Sequence, residues 1–441
     1  MSKLDELISY FCPDGVPHKS LGELGKFYGG LTGKSKNDFI DGNAKFITYK
    51  NVYSNPALKL DVEDRVKIAP GEKQRTLEYG DVIFTGSSET PDECGISSVL
   101  TVKTDEKLYL NSFCFVFRFD DLNIMLPDFA KHLFRSSDLR YQIGKTASGV
   151  TRFNVSKKLM ENVIIPLPPI EVQSEIVRIL DNFTELTAEL TAELTARQKQ
   201  YTYYRNKLLA FNDVNIPIVP LRTVVKKSCS GSTPTKGNAD YYDNGTIPWI
   251  RTQDVRFNEI TEVDSFITEK AVEETAVKWI PENCVIVAIS GATAGRCAVN
   301  KIKATTNQHC LNLEIDESKA LYRYIYYCIY NKYDELISRK QGARGDLNSS
   351  LVLSLEIPLP ALDVQQRLVN VLDNFDSICS DFKIGLPAEI EARQKQYEYY
   401  RDALLTYATT GQIIAKQASK QASKQASKQA SKQASKQASG I

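Results

Sequence analysis

The sequence has few of the residues that most often hold metals or act as nucleophiles. Its 441 residues include three scattered histidines, His18, His132 and His309, and nine cysteines without a Cys-x-x-Cys pair. Zinc sites and disulfide frameworks need cysteines and histidines at regular spacings, so neither is expected, and the unpaired cysteines agree with a reducing cytoplasm. The adjacent pair His309-Cys310 is better explained by strand packing than by half of a nucleophilic site.

Long apolar runs and a large net charge are also absent. The longest aliphatic runs, such as Val285 to Ile289, are far shorter than the ~20 residues of a membrane-spanning helix, and the first residues show no signal-peptide pattern. The formal net charge is +1, and removing the six lysines of a terminal KQAS repeat, residues 416–439, leaves −5. A broad basic face is therefore not expected, and the repeat itself predicts a disordered basic extension.

One glycine-rich stretch, Tyr28 to Phe39, contains the Gly-Lys-Ser that ends a phosphate-binding loop. The spacing of that loop requires a glycine at position 28, where this chain has Tyr28, and Gly29 and Gly30 are too close to Gly33. The residues before the stretch are also not the buried apolar strand that leads into such a loop. The stretch therefore does not predict an NTPase.

The chain contains an internal duplication. The segment IPLPPIEVQSEIVRILDNF, Ile165 to Phe183, returns 192 positions later as IPLPALDVQQRLVNVLDNF. The segment ARQKQYTYYRNKLL, Ala196 to Leu209, returns 196 positions later as ARQKQYEYYRDALL. Weaker matches before these segments pair Gly42, Ile47, Asn51 and Val52 with Gly245, Ile250, Asp254 and Val255.

A length above 400 residues and a composition of 42% hydrophobic and 25% charged residues agree with several folded domains.

The duplication divides the chain into alternating parts. Residues 1–164 and 216–356, which we call head 1 and head 2, are two divergent versions of one domain. Residues 165–215 and 357–415, helical regions 1 and 2, are two well-matched copies of a helical segment. A TAEL repeat occurs within helical region 1, and residues 416–441 form the tail.

The helical regions carry an apolar seam with heptad spacing, which is typical of coiled coils. The seam of region 1 is interrupted by the four extra residues of the TAEL repeat, and that of region 2 by Gly385-Leu386-Pro387, which predicts a helix end or a kink. We expect an α+β fold in which the two helical regions pack as an antiparallel coiled coil with an internal pseudo-twofold axis. The tyrosine-rich run Tyr322 to Tyr330 is expected to be a packed helix face. The seam of region 1 is Val172, Ile176, Ile179, Phe183, Leu186 and Leu190, and that of region 2 is Val364, Leu368, Val371, Phe375, Ile378 and Phe382.

With these features the sequence resembles the specificity (S) subunits of type I restriction–modification enzymes. The matching features are the two IPLP segments, the two ARQKQY segments, the stretch GTIPWIRTQDV from Gly245 to Val255, and the TAEL repeat. The resemblance covers nearly all of the chain except the tail. It implies that each head is a target-recognition domain that reads one half of an asymmetric, bipartite site in double-stranded DNA.

The resemblance also gives the TAEL repeat a role, because its copy number in such relatives sets the gap between the half-sites. This chain has two copies, marked by Thr187, Leu190, Thr191 and Leu194. Four helical residues add about 6 Å and a net rotation of about 40°. One base pair of B-DNA advances about 3.4 Å and turns roughly 35°. One unit therefore shifts a head by about one to two base-pair steps, with nearly the matching rotation.

Catalysis is not expected in this chain, because no AdoMet-binding, Walker or nuclease motif is present. The resemblance implies that modification (M) subunits, expected as two copies, and restriction (R) subunits supply methylation, ATP-driven translocation and cleavage. AdoMet, ATP and Mg²⁺ are then expected in those partners, and no cofactor or metal in this chain. An adaptor whose duplicated heads bind proteins, without any role on DNA, is the alternative.

Base edges are read by Arg or Lys on guanine, Asn or Gln on adenine and Asp or Glu on cytosine, and glycine-rich loops permit close approach to phosphates. Polar residues in the loops after the expected strands, and in the glycine-containing loops before each helical region, are therefore the candidates for contact with DNA. The candidates are Thr32, Lys34, Lys36, Tyr49, Lys50, Asn51, Thr85, Ser87, Lys145 and Arg152 in head 1, and Ser232, Thr233, Lys236, Arg251, Gln253, Asp254, Thr293, Arg296, Lys340 and Arg344 in head 2.

Overall fold

The structure, a computed structural model, forms two compact units. One contains Met1–Glu189 with Ile390–Ile441, and the other contains Leu190–Glu389. Each unit therefore combines one head with half of each helical region. The residues that the structure describes are 3–211, 216–339, 346–380 and 384–410.

Head 1 consists of short strands with short helices between them, and a helix at residue 3 precedes its first strand. Its elements are α1 (Lys3–Phe11), β1 (His18–Ser20), α2 (Leu21–Leu24), β2 (Gly25–Gly29), β3 (Ala44–Ile47), α3 (Tyr49–Ser54), β4 (Arg65–Val66), β5 (Val82–Thr85), β6 (Ser87–Ser88), β7 (Ser97–Val99), β8 (Leu108–Leu110), β9 (Cys114–Phe119), α4 (Pro127–Leu133), α5 (Ser137–Gly144), β10 (Ala147–Gly149), β11 (Phe153–Val155), α6 (Lys157–Met160) and β12 (Ile164–Pro166).

A long helix, α7 (Ile170–Ala210), leads from head 1 to head 2, and two further helices follow head 2. The elements after α7 are β13 (Ile218–Pro220), β14 (Val225–Ser230), α8 (Ala239–Tyr242), β15 (Ile247–Ile250), β16 (Asn258–Ile260), β17 (Phe266–Ile267), α9 (Glu269–Glu274), β18 (Trp279–Ile280), β19 (Val285–Ala288), β20 (Cys297–Asn300), β21 (Ala304–Thr306), β22 (Cys310–Ile315), α10 (Tyr322–Asn331), α11 (Tyr333–Ser338), α12 (Ser349–Leu353), β23 (Glu356–Pro358), α13 (Leu362–Ser380) and α14 (Leu386–Thr410).

The sheets confirm that the two heads are versions of one domain. Head 1 has an antiparallel sheet in the order β2-β9-β5-β7, and head 2 has the corresponding order β14-β22-β19-β20, extended by β16. The second sheet of each head contains one parallel pair, β3 with β8 and β15 with β21. A short antiparallel pair, β1 with β12 and β13 with β23, joins the beginning of each head to its end.

A matched glycine precedes the parallel pair in each head. A Cβ atom on Gly42 would lie 2.3 Å from the backbone nitrogen of Val66, and one on Gly245 would lie 2.7 Å from the carbonyl carbon of Ile267. Two backbones approach too closely there for any side chain. The weak sequence match between these glycines therefore has a structural cause.

In the unit of head 1, α14 packs against the beginning of α7. The rings of Phe183 and Tyr400 stack with centroids 5.2 Å apart. Helix α1 contacts both helices further along, through an ion pair from Lys3 to Glu175 at 3.1 Å and a hydrogen bond from Tyr407 Oη to Asp5 Oδ1 at 2.7 Å. Because Glu175 precedes Phe183 and Tyr407 follows Tyr400, the two segments run antiparallel, as the seam predicted.

The unit of head 2 repeats this pairing with the other halves of the regions. Phe375, the copy of Phe183, stacks on Tyr204, the copy of Tyr400, with centroids 5.7 Å apart. Burial raises the pKa of the Cys379 thiol, and the nearby charge of Arg197 opposes that rise, so a residue after Phe375 lies near a residue before Tyr204. The segments again run antiparallel, and the predicted interruption of region 2 is confirmed, since α13 ends at Ser380 and α14 begins at Leu386.

A buried glutamine fixes each head to its helical region. Gln173 accepts a hydrogen bond from the amide of Leu126 at 2.8 Å and donates to the carbonyl oxygens of Ile124 and Pro168 at 2.9 and 2.7 Å. Its copy Gln365 accepts from the amide of Leu321 and donates to the carbonyl oxygens of Lys319 and Pro360 in the same way. Both glutamines are fully buried. This junction explains why both IPLP segments contain the glutamine.

The tyrosine-rich run of head 2 forms α10, and its side chains are core residues. Tyr324, Tyr326 and Tyr327 are fully buried, as expected for a packed helix face. Tyr324 Oη donates to the carbonyl oxygen of Pro358 at 2.9 Å, and Tyr327 Oη donates to Asp373 at 2.5 Å. These rings hold head 2 against α13 and are not available for stacking on bases.

Candidate nucleic-acid interface

Three segments far apart in the sequence meet at one end of head 1. They are helix α3 after β3, strand β6 after β5, and the hairpin formed by β10 and β11. Tyr49 Oη donates to the carbonyl oxygen of Ser87 at 2.9 Å, and Arg152 Nε donates to Ser87 Oγ at 3.2 Å. Three candidates, one from each segment, are therefore brought together. Arg152 lies at the tip of the hairpin and is exposed.

In the described part of head 2, the segments after β15 and after β19 meet the residues that begin at Asp346. Ser290 occupies the position of Ser87 and donates to Asp346 at 2.6 Å, and Thr293 Oγ1 donates to the carbonyl oxygen of Thr252 at 2.9 Å. The backbone confirms the correspondence, because Leu347 N donates to the carbonyl oxygen of residue 289 as Val155 N does to that of residue 86. The loops that follow β5 and β19 are therefore equivalent.

A fourth segment, which the sequence reasoning missed, lies beside these three. It is the turn between β8 and β9, Asn111 to Cys114, and its copy between β21 and β22, Asn307 to Cys310; we call each the Asn-x-x-Cys turn. Phe113 is 60% exposed in the first turn, and His309 is exposed in the second. The repeated Asn and Cys, 196 positions apart, could have identified these turns in the sequence.

Aromatic residues and acids line a cleft of about 500 Å³ in head 1. The rings of Tyr49 and Tyr53 are stacked with centroids 6.1 Å apart, and both line the cleft together with Phe113. Tyr53 Oη donates to Glu93 Oε1 at 2.9 Å. That bond and those from Thr90 and Ser88 lower the pKa of Glu93, which stays ionised as an acceptor. The cleft is also lined by Ser87, Ser88, Glu89, Thr151 and Arg152.

Two candidates of head 1 are structural residues, which argues against the predicted contact with DNA. Asn51 is buried, and its amide donates to the carbonyl oxygen of Lys59 at 2.7 Å and accepts from the amide of Lys59 at 3.1 Å. Thr85 is fully buried, and its hydroxyl accepts from the amide of Ile96 at 3.0 Å. In both cases the polar group that a base would need is already used inside the head. Lys50, beside Asn51, is exposed.

The glycine-rich loop after β2 does not resemble a phosphate-binding loop. Lys34 Nζ forms an ion pair with Glu72 at 2.6 Å, and only 9% of its side chain is exposed. The hydrogen bond from Lys34 is the main cause that lowers the pKa of Glu72 to about 2. Lys34 therefore holds two loops of head 1 together, whereas Thr32 and Lys36 are exposed.

The corresponding loop of head 2 lies close to the Asn-x-x-Cys turn. Trp249 Nε1 donates to the carbonyl oxygen of Ser232 at 3.2 Å, and the hydroxyl of Thr233 donates to Gln308. Gln308 is exposed, as is Lys236 at the end of the loop. The two loops of this pair are thus equivalent in position and different in their polar contacts.

The segment after β15 presents its side chains around a short 3-10 turn. The amide of Arg251 donates to Asp254 Oδ2 at 2.8 Å, which fixes the carboxylate of Asp254 against the backbone. Arg251 Nε is buried without a partner among the described residues, and Gln253 is exposed. Arg251 and Gln253 are consequently the better placed of the three for contact with a base.

Two of the remaining candidates are exposed or half-buried, and two lie outside the described residues. Lys145 is exposed with its Nζ 4.0 Å from the centroid of the Tyr141 ring, and Arg296 is half-buried after the loop of Thr293. Lys340 and Arg344 lie outside the described residues.

The TAEL repeat lies in the middle of α7, which is uninterrupted there. Thr187 Oγ1 donates to the carbonyl oxygen of Phe183 at 2.8 Å, and Thr191 accepts from the hydroxyl of Thr195 at 3.0 Å. Leu190 and Leu194 are half-buried. The boundary between the two compact units falls between Glu189 and Leu190, within the repeat.

The described residues contain neither a cluster of metal ligands nor a membrane-spanning helix. No group of three or more His, Cys, Asp and Glu side chains there could hold a metal ion. No described helix is both long enough and apolar enough to cross a bilayer.

Known proteins resemble this chain in both sequence and fold. The family model of the type I restriction modification DNA specificity domain matches it twice, at residues 13–197 and 214–392. The chain is 38% identical over 264 residues to the type I restriction enzyme EcoR124I/EcoR124II specificity subunit of Escherichia coli, and the match covers 57% of this chain and 65% of that protein, just under two thirds. It is 31% identical over 277 residues to a putative type I restriction enzyme specificity subunit, S.HindORF215P of Haemophilus influenzae, covering 59% and 68%. A solved chain from work on complex assembly and conformational transition of the type I R-M system has the same fold, with a TM-score of 0.60, 18% identity and coverage of 90% of this chain and 98% of that chain.

Proposed function

The chain belongs to the family of type I restriction–modification DNA specificity proteins, and we propose that it is the subunit that selects the DNA site. Each head reads one half of an asymmetric, bipartite sequence in double-stranded DNA. The chain carries no catalytic site of its own and directs methylation and restriction by partner subunits.

The observation that carries this proposal is the matched assembly of loops at one end of each head. The same backbone bonds join the corresponding segments, whereas the exposed side chains differ. Arg152 and Phe113 lie in head 1, and Gln253, Gln308 and His309 lie in head 2. A common frame with different side chains is what two readers of different half-sites require, because sequence is read by side chains on base edges.

The helical regions set the distance between the half-sites. Helix α7 passes from one compact unit into the other within the TAEL repeat, so the repeat determines the length of helix between the two heads. An added unit lengthens this connection by about 6 Å. The gap between the half-sites lengthens accordingly.

The proposed partners explain why the chain itself is not basic. DNA-binding proteins gain much of their affinity from neutralised phosphates. Without the KQAS lysines this chain has a formal charge of −5, from +1 minus six. Two M subunits supply the remaining positive surface around the DNA, bind AdoMet and methylate the DNA. R subunits with ATP and Mg²⁺ cleave the DNA. The complex acts in the cytoplasm.

An exchange of one head tests the proposal. Residues 216–356 are replaced by the head of a relative, the variant is expressed with its M subunits, and the methylated motif is determined by single-molecule sequencing. One half-site changes and the other is retained if each head reads independently. A change in both half-sites, or no change, contradicts the assignment. An adaptor without a role on DNA would leave methylation unaltered.

A further inference from the structure

The Asn-x-x-Cys turns of the two heads have the same backbone frame. In head 1, the amide of Phe113 donates to Asn111 Oδ1 at 2.7 Å, and the carbonyl oxygen of Phe113 accepts from the amide of Gly86 at 2.7 Å. In head 2, the amide of His309 donates to Asn307 Oδ1 at 3.1 Å, and its carbonyl oxygen accepts from the amide of Ile289 at 2.9 Å. The side chain of the third residue takes no part in this frame.

The frame is also anchored to the rest of each head at the same place. The amide of Asn111 donates to the carbonyl oxygen of Ile47 at 3.0 Å, and the amide of Asn307 donates to that of Ile250 at 3.0 Å. The residue at the end of the turn, Cys114 or Cys310, is buried. The position of Phe113 is therefore fixed by backbone bonds, while its identity is free to vary.

What differs between the turns is the exposed side chain. Phe113 has a ring without donors or acceptors and is 60% exposed, although contact with water is unfavourable for it. Burial in the head does not explain its presence. His309, at the same position, carries an imidazole, and Gln308 before it replaces Ser112. Head 1 thus presents a hydrocarbon surface where head 2 presents hydrogen-bonding groups.

The surroundings of Phe113 are those of the proposed DNA interface. The guanidinium carbon of Arg152 lies 5.8 Å from the centroid of its ring, and Arg152 donates to Ser87 from the neighbouring loop. Val150, at the tip of the same hairpin, is 92% exposed. A cation beside exposed apolar side chains fits a DNA groove, in which base edges and phosphates lie next to each other.

We infer that Phe113 is a specificity-determining residue of head 1 and that its ring contacts the C5-methyl group of a thymine in the first half-site. This inference rests on the proposed function. The methyl group is the one apolar feature of a base edge in the major groove, and apolar side chains, including Phe, recognise it. His309 gives head 2 no such surface at the equivalent position, so the second half-site does not depend on a thymine methyl group there.

The test uses the full chain in complex with its M subunits. Duplexes carry the methylated motif, and each thymine is replaced in turn by uracil, which removes only the methyl group. We expect one uracil in the first half-site to weaken binding by the wild-type complex about fourfold, which corresponds to about 0.8 kcal/mol for one buried methyl group. The same uracil has no effect on the Phe113→Ala complex, because the contact is already absent.

Matched controls separate the possible failures. The His309→Ala complex keeps the uracil effect in the first half-site, and an unchanged melting temperature of Phe113→Ala shows that the head remains folded. If the wild-type complex binds its motif specifically but every uracil duplex binds equally well, the inference about Phe113 is overturned and the proposed function stands. If the wild-type complex shows no preference for any motif, the proposed function fails as well.

Discussion

Replacement of the junction glutamines tests how the heads are held. Gln173→Leu keeps a similar volume but leaves the amide of Leu126 and two carbonyl oxygens without their buried partner. A buried polar group without a hydrogen-bond partner lowers the free energy of unfolding by about 1–3 kcal/mol. The loss is smaller for a carbonyl oxygen than for an amide N–H. We therefore expect the junction of head 1 to be destabilised by about 2–5 kcal/mol.

Hydrogen–deuterium exchange with mass spectrometry measures this locally, because a protein of two compact units does not unfold in one step. Residues 124–133 should exchange at least about tenfold faster in Gln173→Leu, since about 1.4 kcal/mol corresponds to tenfold. Residues 319–329 should be unaffected. Gln365→Leu should show the reverse pattern, because Gln365 makes the same bonds to Leu321, Lys319 and Pro360.

Gln366→Leu is the matched control, since Gln366 is exposed beside Gln365 and, among the described residues, its side chain bonds to Asn370 on the same helix. It should change the free energy of unfolding by less than about 0.5 kcal/mol. If Gln366→Leu accelerated exchange as much as Gln365→Leu, or if Gln173→Leu left residues 124–133 protected, the account of the junctions would be refuted.

Three further predictions address the buried histidine His132, the buried candidate Asn51 and the TAEL repeat. His132 donates to Asp181 and accepts from Tyr397 Oη, both at 2.8 Å, and burial lowers the pKa of His132. The stabilisation by neutral His132 is complete above about pH 6.5 and is lost as the pH falls through the lower folded-state pKa. The melting temperature should therefore decline below pH 6.5, and it should decline less in His132→Gln. Asn51→Ala should destabilise head 1 by about 1–3 kcal/mol in thermal unfolding, whereas Lys50→Ala should leave stability unchanged; equal melting temperatures of the two variants would contradict the structural role of Asn51. Insertion of one more TAEL unit should lengthen the gap of the methylated motif by about one to two base pairs with both half-sites intact, and altered half-sites in the sequenced methylome would contradict the spacer role.

The sequence predicted most of the architecture because the duplication preserved it. Segments that match over many residues, such as Ile165 to Phe183 and Ile357 to Phe375, predicted paired helices, and the heptad seam predicted their antiparallel packing. The sequence did not predict that each compact unit contains the first half of one helical region and the second half of the other helical region. The heptad spacing shows which face of a helix is buried, but it does not identify the helix that packs against that face.

The interface was predicted less completely, for two physical reasons. Residue type alone does not distinguish Asn51, whose amide is used inside the head, from Gln253, which is exposed, because both are polar residues after a strand. Phe113 was missed because an aromatic residue beside a buried strand is ordinarily a core residue. The structure shows that the side chain of Phe113 is 60% exposed in a turn that backbone bonds hold in place.

The methylated motif of cells with and without this chain is the most direct test of the central claim. The M subunits are expressed alone or with the full chain, and single-molecule sequencing reports every methylated site. We predict one asymmetric motif of two half-sites with a fixed gap, present only when the chain is expressed. An undivided motif, or the same methylation without the chain, would contradict the account.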